Sequence, residues 1–231
     1  MAGTGSRLRG SAATIAKPLI PIAGRPLISY AIESFAKAGV KRIYAIVGPK
    51  GDELAAAVAP LLPPQIKFHP VSNPDWQKQN GISLLTAEGR VRAPFFLAMG
   101  DHLFESSILD RLISQADFSK LNLAIDRKIE SIFDLDDAMK VETANNLIFA
   151  IGKKLERFDA VDTGIFVCPA TVFDYLRRAI KDGDCSLADG VRLMANDKKA
   201  LTIDIGSAWW QDVDTPEMLK QAQEEATRLL Q

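Results

Sequence analysis

The fold is best predicted from a stretch near the start of the chain, Ala2-Gly-Thr-Gly-Ser-Arg-Leu8, which is followed by Lys17-Pro18-Leu19. Two glycines one residue apart allow positive φ and leave several backbone N–H groups exposed. Such a loop can wrap a polyphosphate, and Arg7 and Lys17 supply cations that neutralise it. The loop is neither a Walker A motif nor the dinucleotide-binding G-x-G-x-x-G, because Leu8 replaces the third glycine. An ordinary glycine-rich turn is the alternative interpretation.

Composition indicates a globular protein with a sizeable core, since 231 residues include 47% hydrophobic and 25% charged side chains. The formal net charge of −1 predicts no general attraction to nucleic acid or anionic lipid. Cys168 and Cys185 show neither metal-ligand spacing nor a disulfide framework, which is typical of the reducing cytoplasm. No signal peptide and no membrane-spanning apolar run is recognisable, so we expect a cytoplasmic protein without membrane insertion.

Hydrophobic periodicity predicts an α/β fold with a three-layer, mostly parallel, doubly wound (Rossmann-like) sheet. Helical and strand patterns alternate in the first half, and the apolar run Phe95–Met99 is typical of a strand buried on both faces. Short turns then separate four predicted strands that form an antiparallel extension: Leu121–Asp126, Met139–Glu142, Leu147–Ile151 and Val161–Val167. Ser186 and Asp189 form a capping pair that predicts the start of a later helix.

Acidic residues at two distant places are candidate metal ligands. Asp101 follows the predicted strand Phe95–Met99, and ligands of open α/β sheets bind beyond the carboxyl ends of strands. Asp212 and Asp214 lie on one face if their segment is extended. Two such carboxylates commonly hold Mg²⁺, although Asp101 also suits a helix cap and the other two a solvated turn. Together with a triphosphate on the glycine loop, they suit attack by a second substrate's phosphate with loss of pyrophosphate.

Histidines do not indicate a zinc site. His69 and His102 are too few and too far apart in the sequence, and His102 is predicted to have a structural role near Asp101. No Ser-His-Asp or Cys-His arrangement competes with the phosphate chemistry.

Several segments resemble a known family. The broad signature of the sugar-1-phosphate nucleotidyltransferases is carried by Ala2–Leu8, Lys17–Leu19 and Gly24–Leu27. A narrower resemblance, to the inositol-1-phosphate cytidylyltransferases that make CDP-inositol from CTP, is carried by Asn80–Leu85, Met99–His102, Ile151–Lys153 with Phe158–Gly164, and Asp212–Glu217. The resemblance covers nearly the whole chain. It implies an Mg²⁺-dependent enzyme that joins CTP to a phosphorylated polyol, with inositol 1-phosphate as the best candidate.

The resemblance implies a role for each matched residue on the nucleotide side. The triphosphate would be lined by Gly3, Thr4, Gly5 and Ser6. Arg7 would neutralise it and promote departure of pyrophosphate, and Lys17 would steady the phosphates. The base would be bordered by Asn80, Gly81 and Ser83, where the glycine allows close approach.

The remaining roles concern the metal and the acceptor. Asp101 and Asp212 would hold Mg²⁺, with Asp214 ranked below them. Lys153 would draw in the acceptor's phosphate. Asp162 would face the hydroxyl groups of the acceptor. Taken alone, Lys153 would be interpreted as a solvated lysine at a strand end, next to Lys154.

We expect residues 1–231 to form a single nucleotidyltransferase domain, with a nucleotide-binding part at 1–120 and an acceptor-binding part with the closing helix at 121–231. In such folds a strand precedes the glycine loop, but only Met1 stands there, so we expect a missing first strand and a shortened or misassigned start. Three alternatives stay open: a sugar-1-phosphate nucleotidyltransferase, a phosphocholine nucleotidyltransferase, and a non-catalytic nucleotide-binding regulatory subunit. The protein is also a candidate homo-oligomer.

Overall fold

The computed structural model describes residues 16–229, so the predicted loop residues Gly3, Thr4, Gly5, Ser6 and Arg7 lie outside the described residues. The contacts within the chain divide it into two compact units. The first unit contains the residues up to Trp76, Met99–Leu109 and the residues from Ala208 onward, and the second contains Gln77–Ala98 and Asp110–Ser207. The units interleave along the chain, and neither begins or ends at residue 120.

The described residues of the first unit form three pairs of strands. Its strands are β1 (Pro21–Ile22), β2 (Arg25–Pro26), β3 (Arg42–Val47), β4 (Lys67–Ser72), β6 (His102–Phe104) and β12 (Trp210–Asp212). Its helices are α1 (Leu27–Lys37), α2 (Gly51–Val58) and α7 (Pro216–Leu229), and α4 (Ser107–Gln115) begins in it. β1–β2 and β6–β12 are antiparallel pairs, whereas β3–β4 is parallel.

Helix α1 contributes to two hydrophobic clusters of the first unit. Leu27 packs with Ile22, Leu103 and Val213 in one cluster. Other α1 residues, among them Ile32, pack with residues of β3 and α2 in the second cluster. Burial of these two sets of side chains fixes α1 against β6 on one side and against β3 on the other, because apolar burial is the main stabilising contribution available to it.

The second unit is built on a six-stranded mixed sheet. Its strands are β5 (Phe95–Ala98), β7 (Leu121–Asp126), β8 (Lys140–Ala144), β9 (Leu147–Gly152), β10 (Ala160–Cys168) and β11 (Ala200–Asp204). Its helices are α3 (Asn80–Leu85), α5 (Val172–Ala179) and α6 (Leu187–Asn196). The strand order is β5-β10-β7-β11-β9-β8, and β8 pairs with β10 as well. Every residue of β7 is buried, so this strand lies at the centre of the core.

The predicted α/β class is confirmed, while the strand directions are mixed rather than mostly parallel. Within residues 16–229 the parallel pairs are β3–β4 and β7–β11, and the other pairs of strands are antiparallel. β8 and β9 are joined by Asn145 and Asn146, both with positive φ, which is the two-residue hairpin that right-twisted antiparallel strands favour. Short connections of this kind impose the antiparallel direction.

The expectation that Phe95–Met99 is a strand of a parallel sheet, buried on both faces, was wrong. β5 ends at Ala98, pairs antiparallel with β10, and all four of its residues are half-buried. A continuous apolar run occurs in central strands and also in strands that, like β5, pair with one neighbour among the described residues. The run alone therefore does not reveal the position of the strand in the sheet. The capping pair before α6 is confirmed, since Ser186 and Asp189 form a complete capping box.

Candidate active site

A short antiparallel ladder in the first unit brings together two acidic segments that lie far apart in the sequence. Asp212 on β12 is directly opposite His102 on β6, and the N–H of Val213 donates to the carbonyl oxygen of Asp101 at 3.0 Å. Directly opposite residues of such a ladder have Cα atoms about 5 Å apart. The ladder therefore brings the backbones of Asp101 and Asp212 close together.

Val213 explains why its two acidic neighbours stay at the surface of this unit. Its side chain is fully buried in the cluster with Ile22 and Leu27. Successive side chains of an extended segment point to opposite faces, so Asp212 and Asp214 point away from the cluster. Both residues are half-buried.

Lys17 lies between two of the acidic side chains. Its Nζ donates to Asp101 Oδ2 at 2.7 Å and also to Asp214 Oδ1. The lysine side chain is 13% exposed, against 34% for Asp101 and 29% for Asp214. Lys17, which was predicted to bind phosphates, thus contacts Asp101, which was predicted to bind the metal. Its second partner is Asp214, which the sequence analysis ranked below Asp212 as a metal ligand.

Several opposing influences set the charge of Asp101. Partial burial would raise the pKa of its carboxyl, but the hydrogen bond and charge of His102, with the ammonium of Lys17, outweigh burial and hold the pKa well below its usual range. His102 Nδ1 lies 2.8 Å from Asp101 Oδ1, and its ring stacks on Trp210 with the centroids 5.7 Å apart. Asp101 is therefore ionised at neutral pH. His102 Nδ1 is assigned as the donor, since a carboxylate only accepts.

The acidic pair can be tested against the needs of a divalent cation. The described residues contain no cluster of three or more His, Cys, Asp and Glu side chains arranged for a metal. Mg²⁺ requires only one or two carboxylates, because it keeps several waters and takes other ligands from phosphates. The Lys17 ammonium beside Asp101 also demonstrates that positive charge is stabilised there. Asp101 and Asp212 therefore fit a cation that arrives with a polyphosphate.

In the second unit, helix α3 carries the residues predicted to border a base. Asn80 is exposed, and its Oδ1 accepts a hydrogen bond from the N–H of Leu187 at 2.8 Å. A Cβ added at Gly81 would lie 2.6 Å from the carbonyl oxygen of Cys185, so this glycine is required for the packing of α3. Ser83 stands three residues after Asn80, on the same face of the helix. The close approach at Gly81 is therefore to this unit's own backbone.

Lys153 and Asp162 each follow a residue that pairs with Lys140 at the start of β8. Gly152, which precedes Lys153, pairs with Lys140 on one side, and Val161, which precedes Asp162, pairs with Lys140 on the other. Lys153 is exposed, and Asp162 is half-buried with its Oδ1 accepting from the N–H of Gly164 at 2.7 Å. The structure thus brings the two predicted acceptor residues to one region of the second unit.

Sequence reasoning missed two residues of this region. Lys153 Nζ lies 2.6 Å from Asp137 Oδ1. Lys140 is buried, and its ammonium donates to the carbonyl oxygen of Lys153 at 2.9 Å. A lysine between the apolar Met139 and Val141 was the available signal, because a charged side chain inside an apolar run is rarely buried without a partner.

Two further expectations concern membranes and thiols. Across the described part of the chain, no helix combines the length and the apolar character that crossing a bilayer requires. Cys168 and Cys185 are free and buried, in agreement with the predicted lack of a disulfide. Burial raises the pKa of both thiols, so neither is an activated nucleophile.

The ammonium of the half-buried Lys17 thus lies between two carboxylates in the first unit of an α/β fold. Residues 1–131 match the MobA-like NTP transferase domain, and the chain belongs to that family. The predicted resemblance and the predicted enzyme class, a nucleotidyltransferase, are confirmed. Nucleotidyltransferases of this family commonly use a divalent metal.

Individual relatives narrow the comparison. The chain is 28% identical over 221 residues to the bifunctional IPC transferase and DIPP synthase of Aquifex aeolicus, a match that covers 95% of this chain and 49% of the relative. It is 31% identical over 227 residues to the protein of the same name from Rubrobacter xylanophilus, covering 96% and 50%. The chain thus spans about half the length of these curated relatives.

One solved structure matches along most of both chains. The inositol-1-phosphate CTP transferase from T. maritima superposes with a TM-score of 0.83 and 27% sequence identity. The match covers 96% of this chain and 93% of that chain. This neighbour therefore shares the fold over most of both chains.

Proposed function

We propose that this chain joins CTP to inositol 1-phosphate in an Mg²⁺-dependent reaction that yields CDP-inositol and pyrophosphate. The observation that carries the proposal is the Lys17 ammonium held by Asp101 and Asp214. The choice of substrates is supported by the similarity to the T. maritima inositol-1-phosphate CTP transferase and to relatives named IPC transferase.

In the proposed reaction, a phosphate oxygen of the acceptor attacks the α-phosphorus of CTP. The bond between that phosphorus and the oxygen leading to the β-phosphate breaks, and pyrophosphate leaves. This displacement needs positioned substrates and neutralised charge rather than a protein nucleophile. Lys17 would offset negative charge on the phosphates. Asp101 and Asp212 would hold Mg²⁺, which supplies further positive charge to the phosphate oxygens when bound.

The proposal assigns the other residues by the family pattern. The triphosphate would be lined by Gly3, Thr4, Gly5 and Ser6, and Arg7 would promote departure of pyrophosphate. The base would be bordered by Asn80, Gly81 and Ser83. Lys153 would bind the acceptor's phosphate, and Asp162 would face its hydroxyls. Nucleotide binding would thus fall to 1–120 and acceptor binding to 121–231.

The test is release of pyrophosphate with Mg²⁺, each of the four nucleoside triphosphates, and inositol 1-phosphate present or absent. We expect release that requires both CTP and the acceptor, and that stops when EDTA removes the metal. Release with another triphosphate, with glucose 1-phosphate or with phosphocholine would replace the proposed substrates by one of those alternatives. If the chain binds CTP but releases no pyrophosphate with any acceptor, the non-catalytic regulatory subunit would be established instead.

The cellular setting is part of the proposal. We propose that the chain works in the cytoplasm, with the nucleotide and the phosphorylated acceptor as its partners. Fractionation of cells that produce it tests the location, and light scattering after size-exclusion chromatography tests for a homo-oligomer.

A further inference from the structure

The second unit contains a lysine that already has an anionic partner where the proposed function requires the acceptor's phosphate. The Lys153 ammonium is 2.6 Å from the Asp137 carboxylate, and the two side chains are 51% and 38% exposed. Pairs this exposed are weak, because water and salt screen both charges. Asp137 therefore orients Lys153 while leaving the ammonium available to a stronger anion.

The buried Lys140 fixes the backbone on both sides of this pair. Its ammonium donates to the carbonyl oxygen of Lys153 at 2.9 Å and to that of Asp136 at 3.4 Å, and it lies 5.7 Å from the centroid of the Phe158 ring. One carbonyl belongs to the strand end that presents Lys153, and the other directly precedes Asp137. The side chains of the pair can therefore separate without displacing the backbone that carries them.

We propose that Asp137 is a specificity-determining residue, because the acceptor's phosphate binds by replacing the Asp137 carboxylate on Lys153. This inference rests on the proposed function, which gives Lys153 the acceptor's phosphate. A phosphate monoester has a charge of about −1.5 to −2 at neutral pH and three acceptor oxygens, whereas a carboxylate has a charge of −1. The phosphate therefore wins the exchange.

The same exchange excludes unphosphorylated ligands. A neutral polyol offers hydroxyl groups but no charge, so it cannot separate Lys153 from Asp137. The residue pair thus selects phosphorylated small molecules over their neutral parents. Replacing Asp137 should strengthen binding of the acceptor, which is the opposite of what loss of an ordinary binding residue does.

The first experiment compares Asp137→Asn with Asp136→Asn. The matched control removes the same charge one residue away, from an exposed side chain, and keeps the carbonyl that Lys140 contacts. At saturating CTP, we expect Asp137→Asn to lower the KM for inositol 1-phosphate by about two- to fivefold, as loss of an exposed competing pair implies. The kcat and the KM for CTP should stay at wild-type values. Asp136→Asn should match the wild type in all three.

A second measurement does not depend on turnover. Inorganic phosphate is titrated into the wild type and both variants while the NMR signal of the Lys153 side chain is followed, assigned by its loss in Lys153→Arg. Half-saturation should occur at a two- to fivefold lower phosphate concentration in Asp137→Asn alone. Equal phosphate affinity in all three proteins, an equal gain in Asp136→Asn, or a Lys153 signal insensitive to phosphate would overturn the exchange.

The two experiments separate the two proposals. If no acceptor supports pyrophosphate release, the proposed function fails, while the phosphate titration still decides the exchange at Lys153. If release depends on inositol 1-phosphate but Asp137→Asn changes neither KM nor phosphate affinity, the exchange fails and the proposed function stands.

Discussion

Each unit of the molecule places a lysine against aspartate, but the two lysines are held in opposite ways. Lys17 is nearly buried and donates to two carboxylates, on Asp101 and Asp214. Lys153 is half-exposed and has the single partner Asp137 among its ion pairs in the described residues. The same pair of residue types therefore gives a fixed cation in one unit and an exchangeable cation in the other, because burial and the number of partners set the strength of the pair.

The largest expected effect comes from removing the fixed cation. Lys17→Met should lower the rate of pyrophosphate release by about 100-fold or more, as loss of a preorganised charge-stabilising donor does. It should also lower the free energy of unfolding by about 1–3 kcal/mol, because Asp101 and Asp214 lose their shared hydrogen-bond donor. Initial rates and urea unfolding measure the two effects.

Lys37→Met is the control for that change. Lys37 pairs with Glu33 one helical turn away, at 3.0 Å, and is 65% exposed. Such a pair contributes about 0.3–0.5 kcal/mol, so activity should be unchanged. Equal activities of the Lys17 and Lys37 variants would contradict the assignment of Lys17 as a phosphate-binding cation.

Removing the exchangeable cation should have a smaller and more selective effect. Lys153→Met should raise the KM for inositol 1-phosphate by about tenfold and leave the KM for CTP unchanged. A tenfold change corresponds to the lower end of the free energy that a hydrogen bond to a charged group contributes. Steady-state kinetics with each substrate varied in turn measures the split. The neighbouring exposed Lys154 provides the control, and equal effects of Lys154→Met would indicate general electrostatic attraction rather than a binding site.

The smallest effect concerns the pH dependence of stability. Folding lowers the pKa of Asp101, so its carboxylate stabilises the folded state above about pH 4, its value in the unfolded chain, and this contribution is lost as the pH falls towards the folded value. Asp101→Asn should therefore lower the free energy of unfolding by about 1 kcal/mol at neutral pH, since the side chain is one-third exposed. Urea unfolding at about pH 7 and pH 3 should show the difference shrinking in acid. A difference that is equal at both values would contradict the assignment.

Features with local signals were predicted well from the sequence. The capping box of Ser186 and Asp189 depends on two residues that are three positions apart. The proximity of the Asp101 and Asp212 backbones agrees with the expectation that carboxylates from two distant segments belong to one site. β6 and β12 were missed, since strands of three residues are too short for an alternating pattern.

Contacts between residues that lie far apart in the sequence could not be predicted from it. Gly81 was expected to approach a base, whereas its observed close contact is with the backbone of Cys185, more than a hundred residues away. The pair of Lys153 with Asp137 likewise depends on how β8 and β9 align, and no local pattern encodes that register. The assignment of roles to these residues therefore remains a prediction that the kinetic experiments address.

The sharing of one ammonium by two carboxylates has a consequence for how this protein can evolve. Lys17 is 84 positions from Asp101 and 197 from Asp214. Three distant parts of the sequence therefore contribute to one group of interacting charges. A substitution at any one of the three positions removes at least one of the two contacts of the ammonium. Replacing Lys17 removes both contacts, and no single second substitution restores them. These positions should therefore be inherited as a set, with tolerated replacements at one accompanied by replacements at the others.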